Sequence, residues 1–151
     1  MTSGARPHAA FQSLRWRFGN ALVAVFARLG IGPIQLLTTR GRTSGQPHTI
    51  PVVPVEVGGK SWLVAPYGPV SWVHNARANG RATMRHGRTK REYALREASP
   101  AEAGPVLKRY VEVAAKTRSQ FDATKDSPAA DFVAEADRHP VFELTPLSSS
   151  G

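Results

Sequence analysis

The chain has 151 residues, 41% of them hydrophobic, and no cysteine. That length fits a single domain able to bury a core, and the missing thiols exclude disulfides, cysteine nucleophiles and thiolate metal sites. The net charge of +9 is uneven: residues 1–75 hold seven Lys/Arg against Glu56 alone, and Arg81, Arg85, Arg88, Lys90 and Arg91 cluster before Glu92. Such a balance favours an anionic partner (nucleic acid, an acidic membrane surface or a polyanionic cofactor) over a neutral one, with a plain solvated basic face as the bland alternative.

Residues 1–9 read as a disordered lead-in, with no apolar run before a small-residue cleavage site and hence no signal peptide. The longest apolar stretch, Ala21 to Ala27, falls far short of the ~20 residues that span a bilayer. The expectation is a soluble, cytoplasmic protein. Phe11, Leu14, Phe18, Leu22, Val25 and Leu29 recur on one face of an amphipathic helix that Gly30 and Gly32-Pro33 stop. It reads as a lid on the domain or, through residues 11–29, as a peripheral contact with a membrane surface. We therefore divide the chain into a lead-in with its helix, 1–33, and a main domain, 34–147.

From Ile34 the period shortens. Ile34 to Thr39, Thr49 to Val57, Ser61 to Ala65, Arg81 to His86, Thr89 to Glu97 and His139 to Thr145 read as strands bounded by turn residues. Gly58-Gly59 and Gly87-Arg88 mark two-residue hairpins. Pro51 and Pro54 cannot donate to a ladder, so their strand belongs at an edge or carries a bulge. Ser71 offers a cap for a short helix ending at Asn79-Gly80. Ser99-Pro100-Ala101-Glu102 is a capping box, opening a helix with Ala103, Val106, Leu107, Tyr110, Val111 and Ala114 at core spacing. Ser127-Pro128 opens a last short helix. The order is α+β, suited to a small barrel with helices packed outside.

The segment Leu36-Leu37-Thr38-Thr39-Arg40-Gly41-Arg42-Thr43-Ser44-Gly45 is a strand ending in a glycine-bracketed turn. The turn offers a guanidinium, two hydroxyls and unobstructed amides, groups that together suit a phosphate. Hairpins carry Gly, Arg and Ser for ordinary turn reasons as well. The run continues through Gln46-Pro47-His48, a proline-containing strand and a hairpin. Val64-Ala65-Pro66-Tyr67-Gly68 and Trp72-Val73-His74-Asn75-Ala76-Arg77-Ala78-Asn79 follow.

In order and spacing, these landmarks resemble the actinobacterial deazaflavin-dependent nitroreductase family, from about Gln35 to Leu144 and more weakly after Glu97. The resemblance implies an FMN-binding-like split β-barrel holding coenzyme F420, a deazaflavin with a phosphodiester and an oligoglutamate tail. Arg42, Thr43, Ser44 and Gly45 match the family's phosphate-contacting loop, with His48 at its closing basic position. Ala65, Pro66, Tyr67 and Gly68 fall beside the pocket, and Trp72 and Asn75 match the helix that borders the deazaflavin. Asn75 is expected at a ring edge and Trp72 as an anchor or stacking partner. Thr43 replaces a frequent lysine, which puts the weight on Arg42. The family's tyrosine-rich substrate wall is missing; Phe121 is the aromatic nearest that region.

The implied reaction is hydride transfer from reduced F420 to an electron-poor small-molecule acceptor: a quinone, a nitroaromatic or a conjugated enone. Tyr67 is the candidate proton donor, with barrel-mouth packing as its alternative. Competing readings are an FMN-dependent enzyme on the same barrel and a non-catalytic relative that binds a lipid or other hydrophobic ligand. Nucleic-acid binding is disfavoured because no aromatic residues interleave the basic cluster. Metal chemistry is disfavoured because His8, His86 and His139 lack ligand spacing. No serine sits in a hydrolase elbow. The chain is expected as a monomer or homodimer.

Overall fold

The computed structural model describes residues 32–147. The expected amphipathic helix at 11–29 lies outside them. Seven strands are formed: β1 (Gln35–Arg40), β2 (Pro47–Val52), β3 (Val55–Val57), β4 (Lys60–Val64), β5 (Arg81–His86), β6 (Thr89–Glu97) and β7 (Val141–Pro146). Among the described residues three α-helices accompany them: α1 (Ser71–Asn79), α2 (Pro100–Val113) and α3 (Ala129–Ala134).

All the strands join one antiparallel sheet in the order β2-β1-β5-β6-β7-β4-β3. Its two edge strands, β2 and β3, are consecutive in the chain and separated only by Val53 and Pro54. A sheet whose opposite edges are joined by two residues must curl until they meet, which makes a barrel closed by the chain instead of by a ladder. The expected single strand from Thr49 to Val57 is therefore two. Pro54 lacks the N–H that would carry pairing across the corner, and Pro51 sits on an edge as a strand proline must. The hairpins form where expected: Gly58 and Gly59 take φ of 64° and 76°, and Gly87 takes 63°, the left-handed backbone such turns need.

One core cluster fills the barrel with Leu37, Leu63, Trp72, Val73, Met84 and Phe142. A second lies between the sheet and α2, with Val64, Val106, Leu107, Tyr110, Phe121 and Phe132. The Ser99–Glu102 capping box forms in both directions, at 3.2 and 3.0 Å. Helices α2 and α3 meet at Gly104, where a Cβ would stand 2.5 Å from Val133 Cγ2. Ser71, by contrast, does not cap α1: it is the first helical residue, and Val70 enters the helix in extended backbone, its carbonyl accepting from Val73 and His74. Short 3₁₀ segments at Ala115–Gln120 and Ala136–Arg138 were not expected, and the second delays the closing strand to Val141.

Candidate functional site

Because β1 is antiparallel to β5, β5 to β6, β6 to β7 and β7 to β4, strands β1, β6 and β4 point the same way. The loop after β1 and the turn after β4 therefore emerge at one end of the barrel. Helix α1 leaves that turn and returns to β5 across the same end. Asn79 ties it down by donating from Nδ2 to Arg40 O at 3.0 Å, and Arg77 forms a two-pronged pair with Glu97 at 2.7–2.8 Å.

The β1–β2 loop is held open by its own backbone. Gly41 N donates to Gln46 O at 2.8 Å, Gly45 N to Gly41 O at 2.9 Å, and Gln46 N to Ser44 Oγ at 3.2 Å. Gly45 takes φ of 72°. A Cβ on Gly41 would lie 2.7 Å from Ser44 Oγ and 3.4 Å from His48 Nε2, so glycine is what lets those two side chains converge over the turn. The N–H groups of Thr43 and Ser44 make no hydrogen bond among the described residues.

Arg42 is exposed, and no carboxylate among the described residues pairs with it. Its backbone N–H and its Nη1 both donate to Asn75 Oδ1, at 3.1 and 3.2 Å. Asn75 is only 1% exposed and donates from Nδ2 to Thr39 Oγ1 at 3.2 Å. A neutral amide thus fixes the guanidinium's root without neutralising its charge. Asn75, expected at a ring edge, stands beneath the loop with both lone pairs of Oδ1 engaged.

On the other side, Ala65 is fully buried, Gly68 is buried at φ 92°, and Tyr67 between them is 63% exposed. Trp72 is 6% exposed and packs on Phe142 with ring centroids 5.5 Å apart; it is a core anchor with no open face for stacking. Phe121 is buried too, between Tyr110, Phe132 and His139, so no aromatic wall stands open there. Burial raises the Tyr110 phenol above its ordinary range, and the Tyr67 phenol nearby adds to this.

The basic cluster divides. A groove of about 790 Å³ beside the loop is lined by Arg40, Asn79, Arg81, Lys90 and Arg91, with Glu92 the acid on its wall. Arg85 instead folds back onto Gly87 O at 3.0 Å. Arg40 and Asn79 carried no site expectation: the first reads as strand end and the second as helix stop, and only the register of β1 against α1 brings them together. Among the described residues no group of His, Asp and Glu can hold a metal ion, and no helix is long and apolar enough to cross a membrane.

A curled antiparallel barrel with helices packed outside it is a split barrel. Within that class, the family model described as F420H(2)-dependent quinone reductase matches residues 13–130, and the chain belongs to that family. It is a reductase that uses coenzyme F420. The chain is similar to a solved F420-H2 dependent reductase, FDR-A, at 28% identity over 74% of this chain and 93% of that one, with a TM-score of 0.53. Two further neighbours attest the fold. One is solved as a domain-swapped dimer, at 24% identity over 91% and 98% of the two chains with a TM-score of 0.53. The other is a FAD-binding protein from Mesorhizobium loti, at 14% identity over 80% and 86% with a TM-score of 0.50. No curated protein matches the chain.

Proposed function

We propose that the protein reduces quinones with electrons from F420, and that the loop Gly41–Gly45 grips the cofactor's phosphodiester. The observation that carries this reading is Arg42: an exposed guanidinium anchored by a neutral amide, beside two N–H groups and two hydroxyls in need of an acceptor. A phosphate supplies the charge and the lone pairs that such a loop lacks. Thr43 and Ser44 present hydroxyls and amides to it, and His48 stands over Gly41 as a further donor. The groove lined by Arg40, Arg81, Lys90 and Arg91 extends this field and suits the acidic oligoglutamate tail.

When bound, the cofactor supplies two electrons as a hydride. The chain's own part is to hold the phosphate end, shield the site and deliver a proton to the reduced acceptor oxygen. Tyr67 has the exposure and the place for the last task. Ala65, Pro66 and Gly68 form its rigid base, and Trp72 anchors the helix behind them. Among acceptors a quinone fits the family best; nitroaromatics and conjugated enones share its electron-poor conjugated π system and form the wider class.

The test is anaerobic mixing of the protein with reduced F420 and menadione, following the return of the oxidised cofactor's absorbance. Catalysed reoxidation that depends on menadione is expected. A cofactor that binds but stays reduced would contradict the quinone assignment.

A further inference from the structure

Beneath the turn that carries Tyr67 lies a buried pair that the reductase reading leaves without a role. His139 is 4% exposed and Glu135 2%. The ring of His139 lies against Phe121, with centroids 4.1 Å apart. Its Nδ1 is 3.0 Å from Pro66 O and its Nε2 is 3.0 Å from Glu135 Oε1. A carbonyl oxygen can only accept, so Nδ1 must carry a proton. Glu135 in turn accepts from Asp122 N at 3.1 Å on Oε1 and from Ala123 N at 2.8 Å on Oε2. Arg138, itself paired with Asp122 at 2.8 Å, stands 3.9 Å from Oε1.

We propose that His139 is a positioning residue, held by Glu135, that clamps the Pro66–Gly68 turn and so fixes Tyr67 at the acceptor side of the site. The clamp has more than one point. Ala65 N donates to Pro140 O at 2.9 Å and Gly68 N to Ala65 O at 3.2 Å. A Cβ on Gly68 would lie 3.5 Å from Arg138 O, so the two segments run in close contact. Through Glu135 the same unit also orders the chain at Asp122 and Ala123. Three segments distant in sequence thus share one buried, hydrogen-bonded hub, and the residue it presents outward is the exposed Tyr67.

The inference rests on the reading of Tyr67 as facing the acceptor, and two measurements separate the parts. The first is the ¹⁵N spectrum of the His139 ring in the wild-type protein without cofactor, at neutral pH. Nδ1 is expected as protonated; a bare Nδ1 would overturn the clamp as described. The second uses His139→Phe combined with Glu135→Gln, which keeps the stack on Phe121 and avoids stranding a buried charge. The kcat for menadione is expected to fall by about 10- to 100-fold, the scale of a misplaced reacting group, with F420 affinity within about twofold of wild type. Glu135→Gln alone, which keeps one acceptor oxygen for the 122–123 amides, should lie between. An unchanged kcat in the double variant, or a loss of cofactor affinity as large as the loss of kcat, would overturn the positioning role. A wild-type protein inactive with menadione would instead overturn the acceptor reading and leave the ring spectrum to decide the clamp.

Discussion

The two sides of the barrel mouth are built on opposite electrostatic plans. The loop after β1 is exposed and cationic, and a neutral amide, Asn75, holds it while leaving the Arg42 charge uncompensated. The turn after β4 is held by the buried, hydrogen-bonded pair of His139 and Glu135, and it presents a phenol to solvent. One side leaves its cation open to solvent; the other joins its polar groups internally. The difference teaches how a small barrel can combine an open cationic loop with a tightly held turn only one short helix away.

The largest expected effect is on the cationic side. Each charge-assisted hydrogen bond to phosphate is worth roughly 1.5–3 kcal/mol, so Arg42→Ala should weaken F420 binding by about 10- to 150-fold in a fluorescence titration. Its melting temperature should stay near that of wild type, because the residue's backbone N–H, which the substitution keeps, still donates to Asn75 Oδ1. Asn75→Ala sharpens the contrast from below. It leaves the Thr39 hydroxyl and the Arg42 amide without their partner and should cost about 1–3 kcal/mol of stability, read as a shifted denaturant midpoint. Its cofactor affinity should fall as well.

Away from the mouth, effects should touch stability alone. Ser99→Ala removes the capping box of α2 and should cost about 1 kcal/mol while F420 affinity stays unchanged. The smallest effect concerns Glu102, whose carboxyl is pulled down to about 2, first by its hydrogen bond from Arg96 and then by the Ser99 backbone. Glu143 is lowered in the same direction by Lys60 and Arg96. A carboxyl with a lowered folded-state pKa stabilises the fold above its ordinary range and loses that contribution as it is protonated. The melting temperature should therefore decline as pH falls from about 4.5 toward 2, and Glu102→Gln should flatten that decline. A cofactor affinity that moved with Ser99→Ala would break the separation between mouth and scaffold.

Much of this architecture is legible in the chain. Gly58-Gly59, Gly87-Arg88 and the Ser99–Glu102 box are local signals whose geometry is complete within a few residues, and each forms as read. Pro51 and Pro54 announce an edge, yet nothing local says that the chain would break at Val53-Pro54 and give the sheet both of its edges. The glycine-bracketed loop is legible as a cluster of donors because they are adjacent in sequence. The partners that hold it are not: Asn75 lies 33 residues from Arg42, and a register between β1 and α1 decides that it points under the loop. The hub at His139 is harder still, since its contact with Pro66 spans 73 residues and the Glu135–His139 spacing alone is an ordinary feature of a short helical turn.

The central claim is that Arg42 holds the cofactor by its phosphate. The most direct measurement compares the affinities of wild type and Arg42→Ala for intact F420 and for the deazaflavin core lacking the phosphodiester and its tail. The account predicts that the substitution weakens the intact cofactor by about 10-fold or more and leaves the truncated core bound equally by both proteins. Equal losses for the two ligands would contradict it.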